Sequence, residues 1–435
     1  MKLSKNLNEL SSYPFHMPGH KRNEAFNITG AEIDITEIDG FDNLHNPTGI
    51  IKELEEDISR LYGSKKSLIS VNGSSCCVLS AVSAVCGKGD KIIIARNCHN
   101  SVYNACYINE LKIVYIEPEF DSELGIYTCV TQKSVDKALK NNPDAKAIVI
   151  TSPTYEGIVS EIKADVPLIV DAAHGSHFGF AEFLSKRAEG DIVINSFHKT
   201  LPCLTQTAAV HIYNEKYCDP VKKYMDIFET SSPSYILLSS VDKCVDFLKN
   251  SKSTFCGFEN MLKDFYKKAE KLKSINIFKS DDISRIIVGA EGYSGAELAD
   301  YLRSKGIEPE GAGYGYVILI STVCDTQKGF DLLYSALSEL PPKKFDYTPL
   351  PVANIPEKKC EIWEIGDTDK TEINDSIGKI CGEYIYAYPP GSPIIAPGEI
   401  IAPETVDYIS QLLKAEINIL SDSNLLPQRI LTKRC

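Results

Sequence analysis

Asp191-Ile-Val-Ile-Asn-Ser-Phe-His-Lys199 is an apolar strand that ends on an amine. Three branched residues, Ile192 to Ile194, suit a strand buried on both faces, and the polar run Ser196-Phe-His-Lys199 stops it. Val166-Pro-Leu-Ile-Val-Asp171 has the same build: it closes on an acid and continues into Ala172-Ala-His-Gly-Ser-His177. Outward from this pair, further short apolar runs lie at 91–95, 113–116, 147–150 and 208–212, separated by helical or turn segments. That alternation predicts an α/β fold with a mostly parallel central sheet covered on both faces. In such sheets a ligand sits beyond the carboxyl ends of the strands, where Asp171 and His198-Lys199 both fall.

Helices frame these strands. Ile50, Ile51, Leu54, Ile58 and Leu61 share one face over 50–62, and Gly63 suits a left-handed stop. Residues 74–86 are apolar all round and rich in small side chains, which predicts a buried helix with Gly87 past its end. Near residue 280 the pattern changes. A strand is expected at 283–288, a capping box at Ser294-Gly-Ala-Glu297 opens a helix that stops at Gly306, and 317–320 reads as another strand. Residues 341–351 form a proline-rich linker. Tyr388-Pro-Pro-Gly-Ser-Pro-Ile-Ile-Ala-Pro-Gly-Glu399 holds too much proline for a central strand or helix, so it reads as an ordered loop that buries Ile394 and Ile395. Residues 403–413 read as a helix with proline at its first position. The plan is an arm at 1–45, a large α/β domain at 46–280, small-domain elements at 281–345 and a C-terminal domain at 346–435, the last two making a smaller α+β region.

The chain of 435 residues is 43% hydrophobic and 24% charged, which is ordinary for a soluble globular protein. A net charge of −13 leaves no basic excess to neutralise phosphates, so nucleic acid is not an expected partner. The first ten residues lack an apolar signal core, and no apolar run approaches a membrane span. The fourteen cysteines include no Cys-x-x-Cys pair and read as reduced cytoplasmic thiols.

An amine and a carboxylate at the ends of two nearby strands match the needs of pyridoxal phosphate. Lys199 would form a Schiff base with its aldehyde, and Asp171 would keep the pyridine nitrogen protonated. Asn72-Gly-Ser-Ser75, just before the buried helix, offers backbone amides and two hydroxyls to a phosphate, although simple capping explains the same residues. His99, after the 91–95 strand, could lie on a bound aromatic ring or be an ordinary loop histidine. Asp171, His174, His177 and His198 could instead hold a metal, but their spacing shares no helical face and Gly175 and Gly179 point to a loop, so no metal is expected. His16 and His20 are separated by Pro18-Gly19, which removes the helix that would align them.

Eight motifs in order carry a resemblance that spans nearly the whole chain. They are Phe15-His-Met-Pro-Gly-His-Lys21, Asp39-Gly-Phe-Asp-Asn-Leu-His45, Val71-Asn-Gly-Ser-Ser75, Arg96-Asn-Cys-His99, Thr151-Ser-Pro-Thr-Tyr155, Asp171-Ala-Ala-His-Gly175, Ser196-Phe-His-Lys-Thr200, and Tyr388-Pro-Pro-Gly-Ser-Pro393 with Pro397-Gly-Glu399. Together they resemble the Orn/Lys/Arg decarboxylase family of fold-type-I pyridoxal phosphate enzymes, in a short form without the N-terminal wing domain. The resemblance implies a fold-type-I transferase-like architecture and roles for single residues. Lys199 would hold the cofactor and Asp171 would pair with its ring nitrogen. His99 would stack on one ring face and Ala173 would pack on the other. Gly73, Ser74, Ser75, Ser196 and His198 would surround the phosphate, and His198 could also assist proton transfer. It further implies a homodimer or higher homo-oligomer with the N-terminal arm near the active site.

The implied reaction converts a basic amino acid, arginine first and then lysine or ornithine, to a polyamine-pathway amine and carbon dioxide. Four positions depart from the family pattern: Ala172 in place of Glu, Phe197 in place of Thr, Asn100 in place of Lys and Asn43 in place of Asp. The alternatives are another fold-type-I reaction, such as transamination or elimination, or a catalytically silent binding homologue. Transamination needs an arginine for the substrate carboxylate, and Arg285 is its strand-borne candidate.

Overall fold

The computed structural model describes residues 2–121, 124–343, 355–387 and 391–434. The linker expected at 341–351 and the opening of the Tyr388 motif lie mostly or wholly outside the described residues. The chain forms two compact units, Met1–Val85 with Pro167–Gly257, and Cys86–Val166 with Phe258–Cys435.

In the first unit four strands lie in the order Lys66–Ser70, Ala208–Ile212, Ile192–Ser196, Leu168–Asp171. The last two are parallel, with Asp171 opposite Ile194. Both therefore end at the same edge, which brings the acid beside the Lys199 connection. Ala208–Ile212 runs antiparallel to Ile192–Ser196, with Ser196 opposite Ala208. The chain between them contains only the helical turn Phe197–Thr200 and a tight return, too short for a parallel crossover. Lys66–Ser70 pairs antiparallel with Ala208–Ile212 and escapes sequence reading. Its serines are wholly buried, which apolar periodicity cannot detect; Ser67 pairs with His211 at 2.8 Å and Ser70 with Glu229 at 2.6 Å. The predicted helices appear as Ile50–Tyr62, closed by Gly63 at φ +72°, and Gly73–Val85. An unanticipated helix, Lys2–Asn8, buries Leu3 and Leu7 and is held by Ser4, whose Oγ donates to Asp242 at 2.9 Å.

In the second unit Lys91–Ala95 lies between Ala147–Thr151 and Lys112–Ile116, parallel to both. Across the two units parallel pairings of the α/β core thus outnumber antiparallel ones, as the alternating pattern requires. A four-stranded antiparallel sheet runs Ile275–Phe278, Arg285–Ala290, Val317–Ile320, Gly311–Ala312. The Ser294–Glu297 capping box is present and opens the helix Gly295–Ser304. One expectation is corrected. The proline-rich stretch before Glu399 is not all loop, because Pro393–Ile395 is a strand on the edge of a three-stranded sheet with Ile385–Ala387 and Ile419–Ser421. An edge tolerates Pro393, whose missing N–H leaves no ladder bond unmade in the sheet interior. Ile395 is fully buried and Ile394 partly so. The following helix, Pro403–Lys414, begins on its proline.

Candidate active site

Lys199 is the third residue of the helical turn Phe197–Thr200 that follows Ile192–Ser196. Its Nζ lies 2.9 Å from His174 Nε2. His174 stands three residues beyond Asp171 and is nearly buried. Asp171 is 4% exposed, and its Oδ1 accepts from the Ala173 amide at 3.1 Å. Two bonds fasten the loop after Asp171 to the strand that leads to Lys199. Asn195 Nδ2 donates to the Ala172 carbonyl at 2.6 Å, and Ser176 Oγ donates to the Ser196 carbonyl at 2.7 Å. Tyr62 anchors the same loop by donating to the Ser176 carbonyl at 2.7 Å. The aspartate and lysine are therefore held by strand register and by direct bonds between their connections.

The polar groups around Lys199 divide by what they touch. Ser196 Oγ and Thr200 Oγ1 are buried and accept or donate to nothing in the protein. A buried hydroxyl without a partner is destabilising, so such groups point to a ligand. His198 Nδ1 lies 3.0 Å from the Thr207 carbonyl, which can only accept, so Nδ1 carries the proton and Nε2 is left as an acceptor. Burial lowers the His198 pKa; the Thr207 bond opposes this and the charge of Lys199 adds to it, so the ring is held neutral. At the start of Gly73–Val85, Gly73 takes φ +81°, a conformation that favours glycine, with Ser74 partly buried and Ser75 exposed. Glu229 closes the underside of this turn through Ser70, and burial raises its pKa.

His99 belongs to the second unit, where it caps the helix Asn100–Ile108. Its Nδ1 accepts from the Ser101 amide at 3.2 Å and lies 2.9 Å from Ser101 Oγ, which leaves the proton on Nε2. Three residues earlier, Arg96 and Glu399 form a two-point pair at 2.6 and 2.9 Å. Among the described residues no three His, Cys, Asp or Glu side chains gather as a metal site.

Comparison with known proteins matches residues 2–287 to the major domain of Orn/Lys/Arg decarboxylases and residues 343–419 to their C-terminal domain. The chain belongs to the Orn/Lys/Arg decarboxylase family. An arginine decarboxylase of Bacillus subtilis is 31% identical over 93% of this chain and 91% of its own. An arginine decarboxylase of Halalkalibacterium halodurans is 32% identical with the same coverage. The crystal structure of the Francisella novicida lysine decarboxylase superposes with a TM-score of 0.85 at 18% identity, covering 99% of this chain and 81% of the other. Membership makes the chain a pyridoxal phosphate-dependent decarboxylase of a basic amino acid.

The residues present fit that cofactor. They supply an amine and a buried carboxylate at one sheet edge, and two buried hydroxyls, Ser196 Oγ and Thr200 Oγ1, without protein partners. Sequence reading gave His174 only as a rejected metal ligand, although its place three residues past Asp171 was the available signal. Ser176, Thr200 and Glu229 were missed because single hydroxyls and a lone acid carry no pattern; only their contacts reveal them.

Proposed function

We propose that the chain removes the α-carboxylate of arginine, with lysine and ornithine as the next candidates, releasing carbon dioxide and the corresponding amine. The observation that carries the site assignment is the pairing of Lys199 Nζ with His174 Nε2 beside the end of the Asp171 strand. When bound, pyridoxal phosphate supplies the electron sink for the Cα–carboxylate bond that breaks. In this reading Lys199 tethers the cofactor, and His174 Nε2 exchanges the proton that frees the lysine amine for attack. Asp171, buried and braced by Ala173, keeps the ring nitrogen protonated. His99 and Ala173 would hold the cofactor ring. Gly73, Ser74, Ser75, Ser196 and His198 take the phosphate, Gly73–Val85 by its unpaired amides. His198, neutral and with Nε2 as acceptor, is also available to shuttle a proton.

Arg285, the strand-borne candidate for a substrate carboxylate, is 1% exposed; burial lowers its pKa, opposed by Asp282, Tyr155, Glu310 and Glu156. We further propose a homodimer or higher oligomer, in which the exposed arm residues Tyr13, Phe15 and Met17 are covered. A cytoplasmic setting fits the unbridged cysteines.

The test incubates purified protein and pyridoxal phosphate with each basic amino acid and identifies products by mass spectrometry. Agmatine from arginine is expected. A keto acid in place of carbon dioxide would overturn the reaction assignment, and cofactor binding without turnover of any basic amino acid would leave a binding homologue.

A further inference from the structure

The segment that carries His99 is moored, within its own unit, by residues three hundred positions downstream. Arg96 and Glu399 are 1% and 0% exposed. Their fork places Nη1 2.6 Å from Oε1 and Nη2 2.9 Å from Oε2. Each partner is held again from the same stretch. Arg96 Nη2 donates to the Ile394 carbonyl at 3.1 Å, and Glu399 Oε2 accepts from the Ala396 amide at 2.8 Å. The Tyr115 ring lies 4.8 Å from the guanidinium carbon. The backbone of Arg96 is fixed at both ends, its N–H donating to the Ile116 carbonyl at 2.9 Å and its carbonyl accepting from Tyr103 OH at 2.9 Å. Ser392 Oγ then donates to the Asn97 carbonyl at 3.0 Å.

A buried ion pair is a poor way to gain stability, because desolvation of both charges offsets most of their attraction. What a planar two-point pair does supply is orientation. Here the oriented object is the backbone that leads to His99. We propose that Glu399 and Ser392 are positioning residues for His99: the C-terminal region sets the pose of the imidazole that lies on the cofactor. The inference rests on the reading that His99 contacts pyridoxal phosphate, and it gives the Pro397-Gly-Glu399 motif a task in the active site that its distance in sequence conceals.

The experiment is a double-mutant cycle on the full chain, read as the dissociation constant for pyridoxal phosphate and the circular dichroism of the bound cofactor. Unfolding midpoints are measured in parallel. His99→Ala, Glu399→Gln and Ser392→Ala are each expected to weaken cofactor binding, roughly 3- to 30-fold for the first two and less for the third. Combining either mooring variant with His99→Ala should weaken binding no further than His99→Ala alone. Independent, multiplying losses would overturn the proposal. So would a Glu399→Gln protein that loses thermal stability but binds the cofactor as the parent does. If Glu399→Gln does not fold, Ser392→Ala carries the same cycle, since it removes one hydrogen bond and no charge. A His99→Ala single variant with parental affinity would strike down the His99 reading itself, and the proposal with it.

Discussion

Two places in the chain treat buried polar side chains in opposite ways. In the first, Ser196 Oγ and Thr200 Oγ1 flank Lys199 and meet no protein partner. In the second, every oxygen of Glu399 is bonded, and Arg96 is gripped by a carboxylate, a carbonyl and an aromatic face. Leaving a buried hydroxyl unsatisfied costs on the order of 1–3 kcal/mol, a penalty that a ligand can remove. A saturated pair needs no ligand and acts by orientation instead. The unmade bonds next to Lys199 are open to a ligand, while the saturated pair can act only by holding its own segment still.

The sharpest way to break that contrast is at the lysine. Lys199→Ala should lower kcat by more than about 10⁴-fold, as removal of a covalent catalyst does, and the purified protein should lose the visible absorbance of the tethered cofactor. A coloured, active variant would move the ligand site elsewhere. Asp171→Asn keeps the shape of the side chain and removes its charge. Its kcat is expected to fall roughly 10²- to 10³-fold while the protein still folds, because an electrostatic stabiliser of the reacting ring is lost. Steady-state kinetics beside a far-ultraviolet spectrum checks both halves of that statement.

Stability measurements sharpen the comparison further. Arg96→Met strands the buried Glu399 carboxylate and should cost about 3–5 kcal/mol in urea unfolding. Ser196→Ala removes a hydroxyl that nothing in the protein satisfies. Without cofactor it should leave stability unchanged or raise it by about 1 kcal/mol, yet weaken pyridoxal phosphate binding. Equal losses from the two variants would show that the unmade bond carries no meaning.

Much of this was legible in the sequence, and the reasons differ by region. Apolar strands ending on Asp171 and Lys199 announce themselves, because buried parallel strands must be apolar throughout and the ligand edge must be polar. Lys66–Ser70 was illegible because its buried serines are paid for by partners 144 and 159 residues away. The antiparallel return at Ala208–Ile212 follows from connection length, which apolar periodicity does not encode. Pro393–Ile395 resembles a loop in sequence because proline excludes a strand from the centre of a sheet, though not from its edge. His174, Ser176 and Thr200 needed distances, since each does its work through a bond made or left unmade in three dimensions.

The last expected effect concerns two buried titratable groups of the first unit that burial holds neutral, His211 and Glu55, whereas Arg96 and Glu399 are buried as a charged pair. Burial lowers the pKa of His211 from 6.5 to about 3, the charge of Arg187 adding to the shift. The ring stacks on Tyr62 at 4.2 Å. Burial raises the pKa of Glu55 from 4.5 to about 8, against the Ile69 amide that it accepts at 3.1 Å. For His211 the unfolded chain binds the extra proton, so its contribution is complete above pH 6.5 and is lost as pH falls toward 3. For Glu55 the folded chain binds the extra proton, so its contribution is complete below pH 4.5 and is lost as pH rises toward 8. Between pH 4.5 and 6.5 the two slopes oppose each other and nearly cancel. Glu55→Gln keeps the Ile69 bond and removes one slope. Its unfolding free energy in urea should then fall with acidification, by about 2 kcal/mol from pH 6.5 to 5, while the parent's changes little over the same range. A flat profile for Glu55→Gln would mean that His211 gains its proton inside the fold, and identical profiles for the two proteins would mean that Glu55 ionises there as it does in the unfolded chain.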